Sequence, residues 1–195
     1  MKRILSLIVA LAVPLLLSAQ HKIEGFWGIP FMKGQTETLH LVESTKGVRP
    51  FDKTINQAIY TYVPFADQQA EAIVLNFSNG KFYSGIALLP YSNLEQVLRG
   101  WYRWKYILTE KYGEPSSEKI EKRSFIMETD VDFMTEGLNN GEIKYSAAWI
   151  LPDKTRNKPI LLMLRINNAE TVELSMSDVE VFKRVNPSGK TKEDF

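Results

Sequence analysis

The clearest pattern along the chain is a pair of alternating apolar runs on either side of Asn79-Gly80. Asn-Gly supplies the positive φ angles of a two-residue type I′ turn, so the pattern predicts a β-hairpin. In this hairpin we expect Phe77 opposite Phe82 and Ile73 opposite Ile86, all on one side of the sheet. The other side would carry a smaller and more polar set, namely Ala72, Val74, Asn76, Tyr83 and Gly85.

Further alternating or apolar runs predict strands elsewhere. We expect a short entry strand over residues 23–31 and a neighbour of the hairpin over residues 59–63, ended by Pro64. Residues 143–151 alternate as a half-buried strand, residues 160–166 are apolar on both faces, and residues 171–176 alternate again. Three strands therefore close the second half of the chain.

Helical spacing predicts the helices. The longest begins at Ser92, where Glu95 completes a capping box, and ends before Gly113 and Pro115. Gly100 within it costs helix stability and indicates close packing at that point. A shorter helix is favoured over residues 36–46, and another is allowed over residues 130–138.

This order of elements predicts an α+β fold in which helices pack on an antiparallel sheet in two layers. It also allows two similar halves, each a helix with three strands. We expect one domain over residues 21–186, followed by a polar tail over residues 187–195.

The first twenty residues predict export. Lys2 and Arg3 precede an apolar run over residues 4–17, and the small residues Ser18 and Ala19 follow it. This order is typical of a cleaved secretory signal, and the apolar run is short for a membrane span. The protein is therefore expected in the periplasm or secreted, with no integral membrane segment after cleavage.

Charge and cysteine content exclude several classes of function. The chain has 24 basic and 23 acidic residues, and loss of Lys2 and Arg3 leaves 22 and 23, a net charge of −1. This balance argues against a nucleic-acid partner. The absence of cysteine excludes disulfides, thiol catalysis and cysteine–zinc sites.

Several short motifs resemble a group of small exported α/β proteins of gut-type Gram-negative bacteria, none of which is characterised. The matching segments are FWGIPF at residues 26–31, KG at 46–47, KYGEP at 111–115 and Ser177-Asp178. The resemblance implies a two-layer architecture like that of outer-membrane assembly lipoproteins and β-lactamase-inhibitor-like modules. It implies no catalytic residues, and fold alone does not establish function.

The densest acidic cluster offers the main route to catalysis. It consists of Glu128, Asp130, Asp132 and Glu136. Paired carboxylates about 5–10 Å apart can hydrolyse glycosides, and carboxylate oxygens can bind calcium, although the spacing is not that of an EF-hand. The simpler interpretation makes Asp130 a helix cap and places Asp132 in the first helical turn.

Aromatic residues of the long helix offer the main route to binding. On a helical wheel Trp101 belongs to the core face, Tyr102 and Tyr106 share one shoulder, and Trp104 lies on the other. Core packing accounts for the two tryptophans, whereas Tyr102 and Tyr106 can form a surface patch. The two histidines, His21 and His40, lack partners for a catalytic triad or a zinc site. We therefore expect no metal and no cofactor.

Taken together, these features favour a non-catalytic binding or assembly module outside the cytoplasm, with a protein or glycan partner. The alternative is a carboxylate-dependent hydrolase that acts on envelope glycans or peptides through the acidic cluster.

Overall fold

The computed structural model describes residues 23–122 and 130–187, which contain four helices and eight strands. The helices are α1 (Gln35–Lys46), α2 (Leu94–Tyr112), α3 (Val131–Asn139) and α4 (Val179–Val185). The strands are β1 (Asp52–Lys53), β2 (Gln57–Phe65), β3 (Gln68–Ser78), β4 (Lys81–Pro90), β5 (Ser117–Lys122), β6 (Ile143–Pro152), β7 (Pro159–Asn168) and β8 (Thr171–Asp178).

All eight strands form one antiparallel sheet in the order β1-β2-β3-β4-β8-β7-β6-β5. The predicted α+β class is confirmed. The first half of the chain supplies the four neighbouring strands β1 to β4, the second half supplies β5 to β8, and the two runs meet where β4 pairs with β8. The halves therefore share one sheet and one continuous core.

Helices α1 to α3 cover one side of the sheet, which we call the inner face. Trp101 of α2 packs edge-on against Tyr145 of β6, with ring centroids 5.5 Å apart. Trp104 packs on Phe65 of β2 at 6.0 Å. Trp101 and Trp104 are both buried, as expected for core packing, and aromatic pairs of this kind add to the gain from area burial.

The predicted hairpin is present, but its register differs from the expected one. Asn79 and Gly80 have φ of 49° and 69°, as a type I′ turn requires, and Phe77 lies opposite Phe82. The pairing then shifts between Asn76 and Phe77, because β4 contains one extra residue there. Ile73 consequently lies opposite Ala87, so the predicted pairing of Ile73 with Ile86 is wrong.

Other local expectations need smaller corrections. The N-cap of α2 is Asn93, whose side chain accepts from the N–H of Gln96, and not Ser92. Pro64 lies within β2 and does not end it. Residues 23–31 form isolated bridges in place of a strand, since the chain turns at Trp27 and Gly28. The expectations for residues 1–20, His21, Glu128 and residues 188–195 lie outside the described residues.

Candidate functional site

The side of the sheet opposite α1 to α3, here called the outer face, carries a patch of aliphatic side chains. Ile59, Val74 and Ile86 lie directly opposite one another on β2, β3 and β4. Ala72 and Leu88 form a second cross-strand pair beside them. We call these five residues the aliphatic patch. All five are half-buried, and exposed sheet faces normally carry polar residues at such positions.

The register shift in the hairpin creates this patch. The sequence alternation predicts Ile86 and Leu88 for the core side and Gly85 for the other side. The extra residue in β4 reverses both assignments, so that Gly85 faces the core and Ile86 and Leu88 face outward. Gly85 is needed there because a Cβ atom at this position would lie 2.1 Å from Cδ1 of Phe26.

Polar groups surround the aliphatic patch, and several of them are hydrogen-bonded to one another. Gln57 donates to Asn76 at 3.1 Å, and Ser177 donates to Ser84 at 2.8 Å. On the adjoining part of β7 and β8, Arg165 donates to Glu173 at 2.8 Å. An apolar patch within a polar rim is typical of a protein interaction site.

Helix α4 lies over the outer face beside the aliphatic patch. Phe182 shares a cavity of about 350 Å³ with Met163 and Arg165. Val185 shares another cavity, of about 480 Å³, with Asn76 and Tyr83. Burial raises the pKa of the Tyr83 hydroxyl. Helix α4 thus lies beside the aliphatic patch and lines both cavities, one through Phe182 and the other through Val185.

The most deeply buried ions form a separate network at one end of the sheet. Asp153 and Asp178 are 3% and 2% exposed, and Arg156 links them through Nη2–Oδ2 and Nη1–Oδ2 hydrogen bonds of 3.1 and 2.7 Å. Burial raises the pKa of Asp153, but hydrogen bonds from Arg156 and the backbone N–H of Thr155 outweigh it and hold this pKa below its ordinary value. Asp178 also caps α4 by accepting from the N–H of Val181. The network fixes the β6–β7 turn to the start of α4.

The predicted tyrosine patch lies on the other side of the molecule. Tyr102 and Tyr106 of α2 are 52% and 66% exposed, and Tyr102 packs edge-on against Trp101 with centroids 5.0 Å apart. Both rings therefore project from the helix layer, away from the aliphatic patch. Their role in binding stays a prediction.

The acidic residues that the structure describes lie at the start of α3 and along it, as the helix-cap interpretation predicts. Asp130 caps α3 by accepting from the N–H groups of Asp132 and Phe133 at 3.1 and 3.2 Å. Asp132 lies in the first turn, and Glu136 is exposed on the same helix. Glu128, the fourth member of the cluster, lies outside the described residues.

His40 is exposed on α1. Within residues 23–122 and 130–187, no group of three or more histidine or acidic side chains is arranged to hold a metal ion. In the same part of the chain, no helix combines the length and the apolar character needed to span a membrane.

Residues of the FWGIPF and KYGEP segments have packing roles in this structure. Phe26 and Phe31 are buried in the core, and Phe31 stacks on Phe82 with centroids 5.2 Å apart. The carbonyl of Gly113, which ends α2, accepts from Nε1 of Trp149 at 2.8 Å. These contacts explain the motif residues without a ligand.

Sequence reasoning missed the aliphatic patch and α4. No sequence signal marks the extra residue in β4. Helix α4 does have a signal, because Asp178 is followed by Glu180 in the first turn and by Lys183 and Arg184 in the last turn.

The chain matches no family model, no curated protein and no solved structure.

Proposed function

We propose that the protein is exported and acts outside the cytoplasm as a non-catalytic binding or assembly module. One observation carries this proposal: the aliphatic patch of Ile59, Ala72, Val74, Ile86 and Leu88 lies on the outer face within a polar rim. Removal of such a patch from water favours association by about 25 cal/mol per Å² of apolar surface.

The chemistry of the patch favours a protein partner over a glycan. Its five side chains are aliphatic, and they complement apolar side chains of another protein. Aromatic rings, which suit sugar faces, project from α2 instead, at Tyr102 and Tyr106. A glycan partner would therefore use the tyrosine patch and would leave the aliphatic patch free.

Export has its own test. We expect protein recovered from the envelope or the medium to begin near Gln20 or His21, because the basic, apolar and small residues of positions 1–20 have the order of a cleaved signal. N-terminal sequencing or intact mass measures this directly. Soluble cytoplasmic protein that retains Met1 would contradict export.

The binding surface is tested with two variants that separate the candidate patches. Val74→Glu with Ile86→Lys places opposite charges on two facing strands, which keeps the sheet paired and makes the patch polar. The control replaces Tyr102 and Tyr106 with serine. Each variant and the wild type are used to capture proteins from envelope extract, and each captured protein is then purified and titrated.

We expect a partner whose affinity falls at least about tenfold, or about 1.4 kcal/mol, in the aliphatic-patch variant and is unchanged in the tyrosine variant. Binding lost only in the tyrosine variant would move the site to α2. If the wild type retains no protein, the proposal is wrong. Turnover of envelope glycans or peptides that disappears when Asp130 and Asp132 are changed to asparagine would favour the hydrolase instead.

A further inference from the structure

The two edges of the sheet differ in whether another strand can join them. On one side, β1 is only two residues long, and the adjacent β2 contains Pro64 and the positive-φ residue Tyr62. Proline and irregular backbone of this kind block strand addition. On the other side, β5 (Ser117–Lys122) is a regular six-residue strand without proline or positive φ, and among the described residues it pairs only with β6.

The charges of β5 have an unusual order. Along the strand they read Glu118, Lys119, Ile120, Glu121 and Lys122. Lys119 and Glu121, one residue to either side of Ile120, have opposite charges. Glu118 and Lys122, two residues to either side, also have opposite charges. The strand is therefore complementary to itself when it is reversed about Ile120.

We propose that β5 pairs antiparallel with β5 of a second copy of this chain, with the two-fold axis at Ile120. Lys119 then lies opposite Glu121 of the second copy, and Glu118 lies opposite Lys122 of the second copy. By symmetry each pair occurs twice. The 44% exposed side chain of Ile120 meets its own counterpart at the axis and is removed from water.

Only this register is favourable. A shift by one residue places Glu118 opposite Glu121 or Lys119 opposite Lys122, which are like charges. A shift by two places Lys119 or Glu121 opposite itself, and two-fold parallel pairing, which is in register, places every charge opposite itself. Since like charges directly opposite one another destabilise a sheet, the charge order selects a single dimer.

Contacts within one copy hold the strand ready for this pairing. Lys105 of α2 donates to Glu118 at 2.6 Å, and Lys119 lies 3.8 Å from Glu121. In the dimer these pairs extend into alternating networks on both faces of the joined sheet. The axis is perpendicular to the sheet, so the helices of both copies lie on one side.

Charge reversal tests the pairing. The chain that begins at Gln20 is examined by sedimentation velocity up to about 1 mM, where weak affinities become measurable. We expect a concentration-dependent dimer that weakens as salt rises. Lys119→Glu and Glu121→Lys should each weaken association about tenfold, because each makes two facing pairs repulsive. Arg49→Glu is the matched control, because it reverses a charge in the exposed Arg49–Glu43 ion pair, which is outside β5. It should leave association unchanged.

A mixture provides the decisive measurement. Equal amounts of the Lys119→Glu and Glu121→Lys chains should form a heterodimer with the wild-type affinity, because their facing charges are complementary again. The double variant within one chain should dimerise likewise. Circular dichroism confirms that each variant is folded. A monomer at every concentration, a dimer that is insensitive to Lys119→Glu, or a mixture that does not restore association would each overturn the proposal.

Discussion

Replacing Arg156 with leucine is expected to lower the free energy of unfolding by about 3–5 kcal/mol at pH 7, because it leaves two buried carboxylates without their cation. Asp153 and Asp178 both lose an Arg156 hydrogen bond, and within residues 23–122 and 130–187 no other cation forms an ion pair with either carboxylate. Chemical denaturation at pH 7 and at about pH 4, near the ordinary Asp pKa, measures the effect.

The pH dependence distinguishes this account from a loss of packing. In the wild type, the pKa of Asp153 is lowered, so its contribution to stability is present above the unfolded-state pKa and is lost as pH falls through the folded value. In the variant, the guanidinium is absent and burial raises the pKa of Asp153. As pH falls, the carboxylate is protonated, and the cost of burying its charge disappears. The deficit should therefore shrink at about pH 4. Lys158→Leu, at an exposed pair with Glu180, is the control, and an equal deficit at both pH values would contradict the account.

Replacing Gly85 with alanine is expected to cost about 3 kcal/mol, because the new methyl group would overlap a fully buried ring. A Cβ atom at Gly85 would lie 2.1 Å from Cδ1 and 2.3 Å from Cγ of Phe26. Phe26 has no free space, since it also packs on Phe65 with ring centroids 5.8 Å apart. Denaturant titration measures the loss.

A double-mutant cycle checks the cause. With Phe26→Leu, the smaller side chain leaves room for the methyl group. The loss of unfolding free energy in the double variant should therefore be smaller than the sum of the two single losses by about 1 kcal/mol or more. Gly34→Ala, where the added atom meets nothing within 4 Å, should change stability by less than about 1 kcal/mol. Additive effects of Gly85→Ala and Phe26→Leu would show that the ring is not the obstacle.

The sequence predicts this fold well where local chemistry decides the structure. The Asn79-Gly80 turn, the end of α2 before Gly113 and the last three strands all follow from turn residues, stop signals and apolar runs. The polar strand β5 does not. Close packing at Gly100 is confirmed as well, since an added Cβ there would lie 2.2 Å from Cζ of Tyr91.

Prediction from the sequence fails where tertiary contacts determine the strand register and which side chains face the core. Alternation assumes a constant period of two, and the extra residue in β4 breaks it because Phe26 needs the space beside Gly85. The same error hid the aliphatic patch. In β2, the backbone at Tyr62 reverses the alternation, so Tyr60 and Val63 are both buried, and the strand continues through Pro64. The exposure of Tyr102 and Tyr106, by contrast, follows from the helical wheel alone.

The pairing of β4 with β8 has a consequence for how the chain folds. These two central strands are Lys81–Pro90 and Thr171–Asp178, so the middle of the sheet forms only when the last strand has arrived. Contacts between such distant segments slow folding, and they cannot form before the last strand has been synthesised. Until then, β4 and β7 each present an open edge flanked by aliphatic side chains. Unpaired strand edges of this kind can pair with other chains, so the order of synthesis makes association between incomplete chains possible until β8 is available.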